Sequence, residues 1–209
     1  MLIFTGKPLP GYGILAAGGM SMDVREQKRA LRAEIKQRAG LLDETYRRPA
    51  DERILAAVTG WELWRRARSV FIYVSVDWEP DTRRLIAAAL AEGKRVYVPR
   101  CCGRGQMHAL RILSPDQLSP GAFGIPEPPE DAEPAPPDID LTLAPCVTAS
   151  PTGARLGHGA GYYDRFLAGH DTVCACLCHG ALLTAEIPVD EYDRPMDYVI
   201  TERGIIKTH

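Results

Sequence analysis

The sequence predicts an α/β protein of three layers, with a mostly parallel, Rossmann-like sheet flanked by helices. Short apolar runs rich in β-branched and aromatic residues, such as Ser69–Val76, alternate with helical segments. The stretch from Ser69 to Pro99 has the pattern strand, helix, strand, which is typical of a parallel right-handed crossover. At 209 residues the chain is long enough to bury a sizeable core.

Five helices are expected, each between residues that favour helix ends. Asp23 is a candidate N-cap for the first helix and Gly40 a candidate terminator, whereas Asp81 and Gly93 would flank the fourth. The predicted helices are Asp23–Ala39, Pro49–Thr59, Trp61–Ala67, Thr82–Ala91 and Tyr162–Ala168.

Six strands are expected from apolar, β-branched runs. They are Ser69–Val76, Arg95–Pro99, Met107–Ile112, Leu141–Ala144, Thr172–Cys178 and Tyr198–Thr201. The segment Pro126–Asp138 has six prolines and five acids, which predicts an exposed, irregular excursion within one domain.

Composition and charge are ordinary for a globular protein, with 45% hydrophobic residues, 25% charged residues and a formal net charge of −2. No excess of positive charge indicates a nucleic acid or membrane partner, so we expect neither. The six cysteines are not spaced as a disulfide framework, which favours reduced thiols and a cytoplasmic location. Separately, we expect a monomer that acts on a small molecule.

Two local features leave alternatives open. Residues 1–20 have no long apolar run, and we interpret them as a flexible leader or an over-long start before a single domain at 21–209. Cys174, Cys176 and Cys178 share one face of a predicted strand, with His179 next. A zinc site is conceivable, but small apolar thiols in a buried strand are the preferred interpretation.

A glycine-rich loop precedes the last predicted helix. Gly153, Gly157, Gly159 and Gly161 would allow the backbone to turn with positive φ and its N–H groups to approach a ligand, for which phosphate is a natural candidate. The spacing is neither a Walker loop nor a dinucleotide fingerprint. By spacing alone, a flexible turn that caps a helix is an equally good interpretation.

Several ordered motifs surround this loop. The sequence RLGHGAGYYDRFL, from Arg155 to Leu167, resembles the signature of the 5-formyltetrahydrofolate cyclo-ligase family, also called methenyltetrahydrofolate synthetases. Further phrases similar to that family occur in order: KRALR with Lys28 and Arg32, YVSVDWEPDT at Tyr73–Thr82, GKRVYVPR at Gly93–Arg100, FGIPEP at Phe123–Pro128 and IPVDEYDRPMDYVIT at Ile187–Thr201.

The resemblance implies ATP- and Mg²⁺-dependent conversion of 5-formyltetrahydrofolate to 5,10-methenyltetrahydrofolate, with ADP and phosphate released. It also implies which residues contact ATP and which hold the metal. The ATP set is Lys28, Arg32, Arg155, Leu156, Gly157, His158, Gly159, Ala160, Gly161, Tyr162 and Tyr163, and the Mg²⁺ ligands are Asp164 and Asp193. Without the resemblance, Lys28 and Arg32 would be interpreted as a solvated basic helix face, and Asp193 as a turn acid.

The resemblance further implies a site for the reduced folate. The implied folate contacts are Val74, Glu79, His158, Gly159, Ala160, Gly161 and Tyr162, and the implied catalytic residues are Glu79, Arg155 and Tyr163. A carboxylate such as Glu79 can accept hydrogen bonds from the N–H groups of a pterin. By itself Glu79 would be interpreted as a loop carboxylate before a helix.

Three positions depart from the family pattern. Ser150 stands where phenylalanine is expected, Leu182 where glutamine is usual, and Ala160 where glycine or lysine is common. We expect Ser150 and Leu182 to lie near the folate pocket. The alternative function is therefore an ATP-binding paralogue with an altered substrate or a non-catalytic, regulatory role.

Overall fold

A seven-stranded sheet forms the centre of the structure, a computed structural model that describes residues 23–103 and 105–209. The strands in chain order are β1 (Ser69–Ile72), β2 (Arg95–Gly103), β3 (Gln106–Ile112), β4 (Ser119–Pro120), β5 (Pro126–Glu127), β6 (Asp138–Ala144), β7 (Thr148–Ala149), β8 (Arg155–Leu156), β9 (Asp171–Leu177), β10 (Tyr198–Thr201) and β11 (Gly204–Lys207). The sheet order is β11-β10-β9-β6-β1-β2-β3, and only the outer pairs β10–β11 and β2–β3 are antiparallel. The predicted mostly parallel sheet is confirmed.

Helices cover both faces of this sheet. They are α1 (Val24–Ala39), α2 (Glu44–Gly60), α3 (Glu62–Arg66), α4 (Arg83–Ala91) and α5 (Tyr162–Leu167). Helices α1 and α5 pack on one face, and α2, α3 and α4 pack on the other. The predicted three-layer arrangement is confirmed. None of the helices in the described ranges is long and apolar enough to cross a membrane.

Strand β1 shows why a nearly continuous apolar run suits the middle of such a sheet. Phe71 contributes to the core under α1 and α5, whereas Val70 and Ile72 contribute to the core under α2 to α4. All three side chains are fully buried. Because successive side chains point to opposite faces, a strand covered on both sides must be apolar at every position.

The predicted end of β1 at Val76 is wrong, since the strand stops at Ile72. The hydroxyl of Thr82 donates to the carbonyl of Tyr73 at 2.6 Å and accepts from the N–H of Ser75 at 3.0 Å. These bonds satisfy backbone groups that would otherwise pair with a neighbouring strand. The chain therefore leaves the sheet at the carboxyl end of β1.

The predicted start of α2 at Pro49 is also wrong. The helix begins at Glu44, because the side chain of Asp43 accepts a hydrogen bond from the N–H of Tyr46 at 3.1 Å and caps it. Pro49 lies inside the helix, where it forgoes one backbone hydrogen bond. By contrast, Asp23 precedes α1 as predicted, but its side chain makes no capping hydrogen bond.

The proline-rich segment 126–138 is more ordered than predicted. Glu127 is buried in β5. Further along, the N–H of Ala135 donates to the carbonyl of Ala109 at 2.8 Å. The N–H of Arg111 donates to the carbonyl of Glu133, also at 2.8 Å. Residues between the prolines thus pair with β3, an edge strand with free backbone groups.

Other differences are small or concern short elements. Strands β2 and β6 are longer than predicted, and the short strands β4, β5, β7 and β8 and the edge strand β11 were not predicted. The predicted leader at residues 1–20 lies outside the described residues.

The alternating cysteines of β9 face the core, as the apolar interpretation predicts. Cys174, Cys176 and Cys178 pack there together with Cys146, and all six cysteines of the chain are free thiols. The Nε2 atom of His179 lies 2.8 Å from a carboxylate oxygen of Asp51 on α2. That ring nitrogen is therefore engaged in a structural contact rather than directed to the thiols.

Candidate active site

A large cleft opens at the carboxyl end of the parallel strands. After β1 the chain crosses to β2 on one side, and the following parallel strand, β6, lies on the other side of β1. Such a switch point is where open α/β sheets bind ligands. The cleft has a volume of about 1280 Å³, and residues that follow β1 and β6, including Val74 and Pro145, line it.

All the residues that the resemblance implies for the site line this one cleft. They come from α1, the turn after β1, the glycine loop with the start of α5, and the loop before β10. The lining includes Lys28, Arg32, Val74, Glu79, Arg155, Leu156, Gly157, His158, Gly159, Ala160, Gly161, Tyr162, Tyr163, Asp164 and Asp193.

Helix α1 holds two loops of the cleft through basic side chains one turn apart. The ammonium of Lys28 lies 2.6 Å from an oxygen of Asp190 and 2.5 Å from an oxygen of Asp193. Burial by itself lowers the pKa of Lys28, but the hydrogen bonds to both acids outweigh it and raise the pKa. Arg32 donates from Nε to the carbonyl of Gly157 at 2.7 Å. The acids and the glycine loop are thereby placed around α1.

Three of the four loop glycines have backbone angles that other residues rarely adopt, and Gly153 is one of them with φ of +91°. Gly159 has φ of +100° and Gly161 has φ of +68°. A Cβ atom on Gly159 would lie 3.2 Å from the Cζ atom of Arg32. Glycine at position 159 therefore allows both the turn of the backbone and the close approach of this guanidinium.

A buried ion pair connects Arg155 to the start of α5. The Nη2 atom of Arg155 lies 2.6 Å from Oδ1 of Asp164, and its Nη1 atom donates to the carbonyl of Pro145 at 3.2 Å. The N–H of Arg194 approaches the same Asp164 oxygen at 3.3 Å, which brings the loop that carries Asp193 next to α5.

Both acids that the resemblance implies as magnesium ligands lie at the cleft. In the described part of the chain, no group of three or more His, Cys, Asp or Glu side chains could hold a metal by itself. Mg²⁺ prefers one or two carboxylates together with phosphate oxygens and water, so a dedicated protein cage is not needed. Asp164 and Asp193 offer this donor set, although each carboxylate currently contacts a basic side chain.

Glu79 and His158 face each other across the cleft. An oxygen of Glu79 lies 3.7 Å from Nε2 of His158, and its other oxygen accepts from the N–H of Val76 at 3.0 Å. Burial raises the pKa of Glu79 to about 7. Burial, together with the positive charges of Arg155 and Arg32, lowers the pKa of His158. The cleft therefore has a carboxyl group that gains or loses its proton near neutral pH.

The ring of Tyr163 stacks on Phe71 at 5.8 Å, and the guanidinium of Arg155 lies 5.8 Å from its ring centroid. Its hydroxyl is buried and has no hydrogen-bond partner in the described ranges. Burial raises the pKa of Tyr163, so the phenol stays neutral and keeps its proton. Tyr162 instead donates its hydroxyl to the carbonyl of Gly103 at 3.0 Å.

The apolar wall of the cleft was missed by sequence reasoning. It is lined by Tyr73, Pro99, Cys101, Met107, Phe123 and Ile125. Pro99 and Cys101 alternate along β2, whereas the others come from β3 and from separate loops, so no single motif connects the whole wall. Asp190 was missed as well, although it stands three residues before Asp193 in a phrase that resembles the family.

Two of the three departures from the family pattern do not line the cleft. Ser150 is fully buried and its hydroxyl accepts from the N–H of Ala154 at 3.1 Å, and Leu182 lies in the core under α1. The expectation that they lie at the folate pocket is therefore wrong. Ala160, in contrast, does line the cleft.

The fold and this cleft define a class, the three-layer α/β proteins with a ligand cleft at the switch point of a parallel sheet. A model of the 5-formyltetrahydrofolate cyclo-ligase family matches residues 24–202. The chain belongs to this family, and it is an enzyme of the ligase class.

Relatives match along almost their whole length. The chain is 32% identical over 189 residues to the 5-formyltetrahydrofolate cyclo-ligase of Mycolicibacterium smegmatis, with 86% of this chain and 96% of the relative covered. It is 29% identical over 185 residues to that of Escherichia coli, with 85% and 96% covered. The NMR structure of Aquifex aeolicus 5,10-methenyltetrahydrofolate synthetase has a TM-score of 0.77 and 29% identity, and the match covers 87% of this chain and 93% of that one.

Proposed function

We propose that this cleft is where the chain carries out the reaction of its family, the conversion of 5-formyltetrahydrofolate to 5,10-methenyltetrahydrofolate, with ATP and Mg²⁺. One observation carries the proposal. Four segments that are far apart in sequence bring every residue of the implied site to the same cleft. The two departures that raised the question of an altered substrate, Ser150 and Leu182, lie away from it.

The charged end of the cleft suits the triphosphate. Lys28, Arg32 and Arg155 supply positive charge, and the glycine loop supplies backbone N–H groups. Asp164 and Asp193 would hold Mg²⁺ beside the phosphates. When bound, the ion neutralises phosphate oxygens and orients them.

The other end of the cleft suits the folate. Val74 and the apolar wall offer contacts for the pterin ring, and Glu79 can accept its N–H groups when ionised. The neutral hydroxyl of Tyr163 keeps a proton that it can donate to an oxygen of the substrate. His158 belongs to the glycine loop and faces Glu79, so it lies between the two ends.

The chemistry requires positioning and charge rather than a protein nucleophile. The formyl oxygen on N5 takes the γ-phosphate of ATP, and ADP leaves. N10 then attacks the formyl carbon and loses its proton, and phosphate departs with the former formyl oxygen. Arg155 lines the same cleft, and its guanidinium would stabilise negative charge as the phosphoryl group transfers.

We expect the enzyme to act as a cytoplasmic monomer on a reduced folate, without nucleic acid or a membrane. The net charge of −2 and the six free thiols support this expectation.

The test is an assay of the purified chain with MgATP and 5-formyltetrahydrofolate. We expect the absorbance of the methenyl product to appear with one ADP for each turnover. Glu79→Gln should raise the KM for the folate about tenfold more than the KM for ATP. Lys28→Ala should instead raise the KM for ATP more than the KM for the folate. Each variant serves as the control for the other. ATP binding without product would instead support the paralogue with an altered substrate or a regulatory role.

A further inference from the structure

The basic side chains proposed to meet phosphate already contact the acids proposed to hold the metal. Arg155 lies 2.6 Å from Asp164, and Lys28 lies 2.5 Å from Asp193. The Arg155 side chain is 3% exposed and that of Lys28 is 9% exposed, so salt screens neither pair strongly. Each base is thus paired with one of the acids proposed to hold the metal, and Lys28 also lies 2.6 Å from Asp190.

We infer that both ion pairs exchange partners when ATP enters with its metal, and that they thereby select against ATP without a metal. The inference rests on the proposed function. In the exchange, Lys28 and Arg155 turn to phosphate oxygens while Asp193 and Asp164 turn to the metal.

The selection follows from the cost of leaving a charge unpaired. Metal-free ATP that drew Lys28 and Arg155 away would leave Asp193 and Asp164 with backbone N–H donors but no positively charged partner, next to a further set of negative charges. The side chains of Asp193 and Asp164 are 22% and 23% exposed, so removing the base from either one leaves a part-buried charge uncompensated, which is costly. With a divalent cation present, both carboxylates gain a partner as they lose one.

Asp190 has a separate role as a positioning residue. Its carboxylate lies 2.6 Å from Lys28, and its N–H donates to Asp193 at 2.8 Å. Tyr192 donates its N–H to the other Asp190 oxygen at 3.0 Å, which holds the carboxylate in the turn. When Asp193 turns to the metal, Asp190 stays beside Lys28. Asp190 should therefore weaken the binding of phosphate by Lys28 to the same extent with and without the metal.

A simple metal ligand and an exchanging pair both predict weaker binding of MgATP by Asp193→Asn, but they differ in what they predict for metal-free ATP. If Asp193 only binds the metal, the variant loses affinity for MgATP and keeps its affinity for metal-free ATP. If Asp193 also restrains Lys28, the variant binds metal-free ATP more tightly than the wild type does.

The experiment is calorimetric titration of the full chain with ATP, once in EDTA and once with excess Mg²⁺. We expect the wild type to bind metal-free ATP at least about tenfold more weakly than MgATP. Asp193→Asn should bind metal-free ATP about tenfold more tightly than the wild type, and MgATP more weakly. Asp190→Asn should tighten binding several-fold in both conditions.

Glu186→Gln is the matched control. It removes one negative charge from an exposed position in the same segment, outside the cleft, and should change either affinity less than about twofold. Thermal unfolding of each variant checks its fold, and Asp164→Asn tests the second pair if Asp193→Asn is unstable.

Three outcomes would overturn the inference. One is an Asp193→Asn variant whose affinity for metal-free ATP stays at the wild-type value. Another is a gain in affinity for metal-free ATP that is as large in Glu186→Gln as in Asp193→Asn, which would mean that only net charge matters. A wild type that binds ATP in neither condition would overturn the proposed function itself, so the two failures are distinguishable.

Discussion

Glu79 is a carboxyl group with few partners inside the cleft. It accepts one backbone hydrogen bond, from Val76, and its nearest basic neighbour is His158 at 3.7 Å. Burial raises its pKa to about 7 because little in the surroundings compensates the lost hydration of the charge. A ligand that donates N–H groups would supply this compensation and favour the ionised form.

This raised pKa makes stability depend on pH. The folded state keeps the proton of Glu79 up to about pH 7, whereas the unfolded state releases it near the ordinary value of 4.5. The contribution of Glu79 to the free energy of unfolding is therefore intact below pH 4.5 and falls as pH rises to 7. Between pH 4.5 and 7, we expect the free energy of unfolding of Glu79→Gln to gain roughly 3 kcal/mol relative to that of the wild type.

Urea unfolding at intervals from pH 4.5 to 8 measures this difference. Glu186→Gln removes an exposed carboxylate, and its free energy of unfolding should change with pH in the same way as that of the wild type. A constant difference between Glu79→Gln and wild type across the range would show that the pKa of Glu79 is not raised.

The glycine loop is the element that gives the cleft its shape. Arg32 donates to Gly157, and Arg165 donates to the carbonyls of Ala160 and Gly105. Guanidinium groups thus hold the loop from both sides. A loop held in this way needs little reorganisation when phosphate arrives.

We expect Gly159→Ala to disturb this element in two ways. The backbone φ of +100° would strain any other residue, and the new Cβ would press on Arg32 at 3.2 Å. The free energy of unfolding should fall by about 1–2 kcal/mol, and the affinity for MgATP should fall about tenfold. Denaturant unfolding and calorimetry measure the two effects.

Gly93→Ala provides the comparison. Gly93 follows α4 with a φ of +74°, and nothing lies within 4 Å of an added Cβ. Its replacement should cost about 1 kcal/mol of stability through backbone strain alone and leave the ATP affinity unchanged. Wild-type affinity in Gly159→Ala would refute the role of the loop in nucleotide binding.

At the scale of the whole molecule, the cleft joins the two ends of the described chain. Lys28 and Asp193 are 165 positions apart, yet their charged atoms lie 2.5 Å from each other. A ligand that contacts α1, the glycine loop and the loop before β10 would tie together segments that separate on unfolding. Binding should therefore stabilise the entire fold rather than one loop.

We expect saturating MgATP to raise the melting temperature. At a hundred times the Kd, binding contributes about 2.7 kcal/mol, which corresponds to roughly 5–10 °C for a chain of this length. Lys28→Ala should lose most of this shift in a thermal unfolding scan. Arg29→Ala, at an exposed neighbouring position outside the cleft, should keep it, and equal shifts in the two variants would contradict the assignment of Lys28.

The sequence by itself determined the architecture, and it predicted the site residues that share a motif. Periodicity predicted an α/β sheet between helices because β1 and its neighbours are buried on both faces. The glycine loop was visible because the residues of such a turn are adjacent in the chain. The start of α2 at Glu44 could have been predicted from Asp43, whose capping contact is also local.

Only the tertiary structure decided which charges pair and which side chains line the cleft. The contacts of Lys28 with Asp190 and Asp193, and of Glu79 with His158, join separate elements, so they depend on how those elements pack. The positions of Ser150 and Leu182 away from the cleft depend on the same packing. No pattern along the chain encodes such distances, because burial and proximity arise only when helices and sheet come together.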